Sequence, residues 1–304
     1  MYNQWLIILP LLGACLLTGC GGSTEPVLDI KAFHTWSVPA EAVKIPAPRS
    51  VTVAPDQTVY ALDDGGRILV YSPDGTFVRK WFMPEYSVGR PEGICVLKDQ
   101  RIAVCDTHYH RLVFFHPDGS EAGRFGERGE GPGQFEFPVA VVQDDDQFLY
   151  VAEYGGNDRV QKFHPDGTFV LSFGSFGTGD GQLNRASGMV WHEGKIYIAD
   201  AANNRVVIYS DEGDYLGLLN DPTKPYALRF PYDITMCKDR TFIIVEYAAG
   251  RVTRTHLDGR LIGRYGEQGT GIGQMQTPWG LDIDDQMRLR IADTGNRRIV
   301  EIRL

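Results

Sequence analysis

The chain repeats itself six times, and that periodicity limits its fold more than any other feature. An Arg followed by an aliphatic residue recurs at Arg67, Arg111, Arg159, Arg205, Arg251 and Arg298, at intervals of 44, 48, 46, 46 and 47 residues. A short apolar run precedes each: Thr58–Leu62, Arg101–Cys105, Phe148–Ala152, Lys195–Ala199, Thr241–Val245 and Leu289–Ala292. Five of these are followed or closed by an acid (Asp106, Glu153, Asp200, Glu246, Asp293); in the first unit Leu62 takes that place, with Asp63 next to it. Downstream of each Arg comes another apolar run and then, in five units, a Gly turn: SPDG, HPDG, HPDG, SDEG and HLDG. Asp-Gly between apolar runs is a hairpin signal, so each unit reads as four short strands joined by turns. A period in the mid-forties with four strands per unit is that of a β-propeller blade. No stretch holds a helical period over three turns.

The sixth unit ends at Leu304, soon after Arg298–Ile302, and so lacks its fourth strand, while the apolar segment 28–36 belongs to no unit. The simplest closure lets that N-terminal strand complete the last blade, which removes both sheet edges. The predicted fold is therefore all-β: a six-bladed propeller over 28–304, with blades at about 45–84, 90–136, 137–184, 185–220, 229–276 and 277–304, the last completed by 28–36.

Residues 1–20 read as an export address. They contain no Lys, Arg, Asp or Glu, and a short apolar core interrupted by Pro10 ends in Leu17-Thr18-Gly19-Cys20. This is too short to span a bilayer and has the shape of a secretory signal. Its last four residues resemble a bacterial lipobox, although the usual basic n-region is missing. The resemblance implies cleavage after 19, diacylation of Cys20, anchoring to a lipid bilayer, and a flexible tether over 20–27. Gly21 after that Cys favours the outer membrane, facing the periplasm or the surface, over inner-membrane retention. The net charge of −9 lies wholly in the exported part, and no basic block exists. Both oppose a nucleic-acid partner held through phosphates.

Beyond Cys15 and Cys20, the chain has Cys95, Cys105 and Cys237. Cys95 and Cys105 flank a turn and would meet if the hairpin set them opposite each other, but both lie in apolar strand runs where Cys behaves as a small hydrophobe, the favoured reading.

The units resemble NHL repeats. The resemblance rests on Pro91-Glu92-Gly93-Ile94 with Asp106 to Arg111, on Asp200-Ala-Ala-Asn-Asn-Arg205, and on Pro278-Trp279-Gly280-Leu281 with Asp293-Thr-Gly-Asn-Arg-Arg298. Gly-rich linkers at 126–135, 174–183 and 266–275 complete the pattern. In that fold the lead-in to each inner strand and the acid-to-Arg turn share one face around a central channel. The resemblance thus implies that Arg49, Glu92, Val139, Ser187, Tyr232 and Trp279 ring the channel mouth, with Tyr154 and Tyr247 close by. Trp279 and Tyr232 are candidates to stack on a ligand, and Arg49 and Glu92 to supply charge, making the mouth the candidate site for a small molecule or protein partner.

Two enzymes sharing this type of fold form the alternative. Peptidylglycine α-amidating lyase holds zinc through His residues in its strand lead-ins, and none of the six lead-ins here has His. A sugar-lactone hydrolase would need a divalent ion, and a divalent cation in the central channel is the one cofactor this reading admits. His108 and His110 are the weak metal candidates, since two ligands alone make a poor site. His116, His164 and His256 fall in outer turns spread around the disc, too far apart to share an ion, and are read as turn residues whose side chains bond locally. The acid–Arg pairs recur in blade after blade, as supports do and catalytic groups do not. No nucleophile elbow, P-loop or HExxH motif is present.

Overall fold

A computed structural model describes residues 25–220 and 226–304; the segment read as an export signal and the lipidation candidate Cys20 lie outside the described residues. Six four-stranded antiparallel sheets stand in a ring. Their inner strands are Pro48–Val53, Ile94–Val96, Phe137–Gln143, Ala186–His192, Pro231–Met236 and Leu281–Ile283. Each packs against the next, and blade six against blade one.

The burial of each strand follows its place in the blade. The second strands are covered on both faces by neighbouring blades, so Val59–Asp63, Ile102–Asp106 and Thr241–Glu246 are buried at every position. Such strands are near-continuously apolar rather than alternating, as strands covered on two faces must be. The outermost strand Phe77–Phe82 is almost wholly exposed. In the third-to-fourth strand turns, Gly75 has φ +87° and its N–H reaches the Ser72 carbonyl at 2.9 Å. That left-handed position follows a tight turn and shifts the register by one residue, which explains why Asp-Gly recurs there.

The closure is as the strand count predicts. Ala32–Ser37 pairs antiparallel with Arg298–Arg303 and forms the fourth strand of blade six, so one sheet contains both ends of the chain. Trp36 seals this seam: it is 6% exposed, contacts Tyr71 of blade one at 5.7 Å between centroids, and lies against the Gly75 turn. Arg290 sits 5.4 Å from the same ring and pairs with Asp284 (2.6 Å) and Glu301 (3.1 Å).

Residues 25–27, expected in the tether, lie against blade five. The Pro26 carbonyl accepts the Arg264 amide (3.0 Å), Glu25 pairs with the Arg264 guanidinium, and Leu28 is buried between blades five and six. The open backbone edge of Leu261–Tyr265 provides the docking groups, so this short segment continues the folded part.

Blade one also differs from expectation. Asp63, not Leu62, is the acid of that unit: Asp63 pairs in register with Pro48, as Glu153 does with Pro138. Its carboxylate receives Arg67 Nε at 2.8 Å and Nη2 at 2.7 Å. The turn is one residue shorter than in most blades, which moved the acid out of alignment. All six blades therefore hold the pair, with Arg111–Asp106, Arg159–Glu153, Arg205–Asp200, Arg251–Glu246 and Arg298–Asp293 at 2.6–2.9 Å.

These pairs clamp the linkers. Arg205 donates to the carbonyls of Thr178, Gly179 and Gln182, and Asn203 donates to Gly177 and Asp200. Arg159 and Arg298 hold the linkers of blades three and six in the same way. The glycine runs form small loops, each closed by a Gln side chain, as when Gln182 Oε1 accepts the Gly179 amide at 2.9 Å. Arg159, Arg205 and Arg298 each tie the acid of their own blade to the carbonyls of a glycine-rich linker, while Arg251 bonds Glu246 alone and Arg111 bonds Asp106 and Glu85.

Candidate functional site

Three tiers of side chains from the inner strands line the central channel, a cavity of about 180 Å³. The middle tier is kept small: Gly93, Gly188 and Gly280 stand where a Cβ would come within 2.2–2.7 Å of the next strand. At Gly188 the space is filled by Asp233 of blade five.

The mouth carries most of the polar chemistry. Glu92 of blade two reaches over the channel to Tyr232 of blade five, the hydroxyl 3.4 Å from Oε2. The same carboxylate meets Arg49 Nη1 at 3.5 Å, the Tyr154 hydroxyl at 3.5 Å and Arg185 Nη2 at 4.0 Å. Arg185 donates to the Tyr232 hydroxyl at 2.8 Å. Each guanidinium also lies on an aromatic face: Arg49 over Trp279 and Arg185 over Tyr154, both at 4.5 Å. Tyr232 stacks on Trp279 at 4.8 Å, and Tyr247 packs behind both. The Tyr232 hydroxyl is pushed well above its ordinary range, first by burial and then by the Glu92 charge. Tyr154 is raised by the same two causes, so both phenols stay protonated and serve as donors.

Arg49, Glu92, Tyr154, Tyr232, Trp279 and Tyr247 are thus brought together around the mouth. Ser187 lines the channel, but its hydroxyl is turned into the wall, toward the Ala199 and Pro231 carbonyls (3.3 and 3.4 Å). Val139 is buried beside it. Arg185 is a mouth residue that the sequence reading did not name. It precedes the lead-in position, and a left-handed backbone (φ +64°) there accompanies its reach toward the channel axis. Its equivalents in blades five and six, Phe230 and Thr277, share that conformation. A bulky non-glycine residue at positive φ is uncommon, and its threefold recurrence marks a bulged lead-in.

Two carboxylates deeper in the channel also went unnamed. Asp282 accepts the Val53 amide (2.8 Å) and the hydroxyls of Thr52 (3.2 Å) and Thr235 (3.1 Å). Asp233 accepts the amides of Leu281 (3.1 Å) and Ile234 (2.9 Å). Together they join blades five, six and one. Burial, with a contribution from Asp282, pushes Asp233 up to about 7, and Asp282 is raised by burial. Cys95 faces the same lumen, its thiol pushed up to about 12 by burial and then by these two acids. Cys95 pairs in register with Ala103, and Cys105 with Leu112, so the two are not cross-strand partners; both are free thiols.

The histidines do not converge. His108 and His110 occupy the turn after Asp106, each tied through Nδ1 to backbone (Arg90 and Glu136), and both pack on Phe137. Among the described residues no group of three His, Cys, Asp or Glu side chains is placed to hold a metal. In the outer turns the local bonds come from backbone and from Asp rather than from His: Asp118 and Asp166 accept the amides of Ser120 and Thr168, while His164 packs on Phe148. No described helix is long and apolar enough to cross a membrane.

Fold and mouth together define a six-bladed β-propeller with one polar, aromatic rim. Residues 89–115 match the family profile described as NHL repeat. NHL repeat-containing protein 3 of Mus musculus is 28% identical over 190 residues, covering 56% of this chain and 54% of the mouse protein; the Homo sapiens counterpart is 27% identical with the same coverage. The chain thus spans about half the length of the curated relatives it matches. Among solved structures, a gluconolactonase from Xanthomonas campestris superposes with a TM-score of 0.69 at 16% identity, over 95% of this chain and 100% of that one. Virginiamycin B lyase from Staphylococcus aureus does so with a TM-score of 0.64 at 14% identity, over 90% and 99%. At such identities these two share the fold. The chain is an NHL-repeat β-propeller.

Proposed function

We propose that this chain is a lipid-anchored, extracytoplasmic propeller that binds a small-molecule or protein partner at its channel mouth. The observation that carries this reading is the mouth itself: Arg49 and Arg185 lie on aromatic faces around one shared carboxylate, Glu92. Unlike Arg159, Arg205 and Arg298, neither donates to a set of linker carbonyls. Among the described residues, Arg49 and Arg185 each make one side-chain hydrogen bond, to Glu92 and to Tyr232. Concave sites with aromatic walls and a few converging polar groups are where ligands bind.

The anchor half of the reading rests on the lipobox-like Leu17–Cys20. It predicts that Cys20→Ser moves the protein from the membrane to the soluble fraction and abolishes labelling by radioactive palmitate. The mouth half predicts that Tyr232→Ala and Trp279→Ala each weaken a cross-linked partner or ligand; unchanged capture by both would remove the mouth proposal. The alternative, a metal-dependent propeller enzyme, draws support from Asp233 and Asp282 facing one lumen. Their acceptors are largely occupied by bonds between blades, so a structural staple accounts for them. Metal analysis after gentle purification decides: stoichiometric zinc or calcium would favour the enzyme.

A further inference from the structure

Beside the mouth, over blades three to five, lies a groove of about 600 Å³ lined by Arg185, whose guanidinium reaches the channel-lining Tyr232 and Glu92. Tyr154, Phe176 and Phe230 give the groove aromatic walls, and Gly155 and Gly156 keep one side low. Phe176, in the glycine-rich linker before blade four, is 61% exposed, unusual for a side chain that could have been polar there. Arg185 is the groove's cation. Its side chain retains 30% exposure, and its Nε and Nη1 have no acceptor among the described residues. The other acid of the groove wall, Asp158, is 3% exposed, with its oxygens taken by the amides of Arg185 (2.7 Å) and Gly156 (3.3 Å). Glu92 stands 4.0 Å from Arg185, beyond hydrogen-bonding distance.

We propose that this groove binds a small organic carboxylate with a flat apolar body, the carboxylate received by Arg185 and the body held between Tyr154, Phe176 and Phe230. Three features select that class. A guanidinium with two unoccupied donor groups matches a planar carboxylate. Its position on the Tyr154 face fixes its plane, so little ordering remains when the ligand arrives. The groove volume lies in the range of small-molecule sites. The inference rests on the reading that this face is a ligand site and goes further by naming the subsite, the anchor and the ligand chemistry.

The test is a ligand-observed NMR titration of the full chain in detergent with 2-naphthoate and its uncharged counterpart 2-naphthamide. The acid should bind at least about tenfold more tightly than the amide, the difference expected for one charge-assisted hydrogen-bonded pair. Arg185→Gln should erase that preference, Arg185→Lys should restore part of it, and Phe176→Ala should weaken both probes together. Thermal melts of each variant verify folding. Equal binding of acid and amide, lost in Tyr232→Ala, would overturn the carboxylate inference while leaving the mouth as a ligand site. No binding of either probe, or binding indifferent to both Arg185→Gln and Phe176→Ala, would overturn the inference outright, and the Tyr232 and Trp279 capture experiment would then judge the mouth by itself.

Discussion

Trp36→Ala tests the ring closure on which the mouth geometry depends. The side chain lies on the N-terminal strand, is 6% exposed, and fills the seam between blade six and blade one against Tyr71, the Gly75 turn and Arg290. Truncating a buried Trp removes its apolar burial and leaves a cavity, together about 3–5 kcal/mol. Loss of the contact with Arg290 adds roughly 0.5–1 kcal/mol, because the guanidinium keeps its partners Asp284 and Glu301. A total of about 3.5–6 kcal/mol in a domain of this size corresponds to a melting temperature lower by roughly 7–12 °C. Thermal unfolding followed by circular dichroism reads this directly. Leu216→Ala, on the exposed outer strand of blade four, is the control and should shift the melt by less than about 2 °C. Limited proteolysis adds a second readout, since a loosened N-terminal strand exposes the connection at 38–47. If Trp36→Ala melts within the control's range and resists protease like the parent, the N-terminal strand does not hold the ring closed, and the reasoning fails.

Three further outcomes follow from the interior. Asp233 is raised to about 7 by burial and by Asp282, so it favours the fold in its protonated form; that contribution is present below the unfolded value near 4 and is lost as pH rises through 7. Chemical denaturation at pH 5 and pH 8 should show the parent losing roughly 2–4 kcal/mol more than Asp233→Asn does, and equal slopes would contradict the placement of that carboxylate. Asp200→Ala strips Arg205 of its buried partner and should cost about 3–5 kcal/mol by urea unfolding; a loss under about 1 kcal/mol would show that the turn pairs are not supports. Cys95, Cys105 and Cys237, all with thiols raised by burial, should resist Ellman's reagent at pH 8 until denaturant is added, and rapid labelling of native Cys95 would mean that the lumen is more open than described.

The repeat was legible because each blade needs the same supports. An acid, an Arg and a Gly turn recur at fixed spacing since each stabilises one local turn, and local geometry leaves a mark in local sequence. The missing fourth strand of the last unit was equally readable, because an unpaired sheet edge demands a partner and only one segment was unassigned. Where the spacing slips by a residue, at Asp63, strand register shows the equivalence that linear spacing hides.

The mouth was legible only in part. Arg49, Glu92, Tyr232 and Trp279 occupy repeat positions that the family pattern directs to the channel, so counting along the chain found them. Arg185 and Phe230 lie one residue before the pattern begins, and nothing in a linear motif says that a left-handed residue will bring Arg185 to the Glu92 carboxylate. Asp233 and Asp282 read as ordinary strand acids until ring closure placed Leu281, Val53 and their hydroxyl partners against them. Sequence by itself determined the number of blades, their turns and their closure, all products of short-range chemistry repeated six times. Tertiary structure alone decided which side chains share a channel, because residues as far apart as Glu92 and Tyr232 meet only when six separate strands converge on one axis.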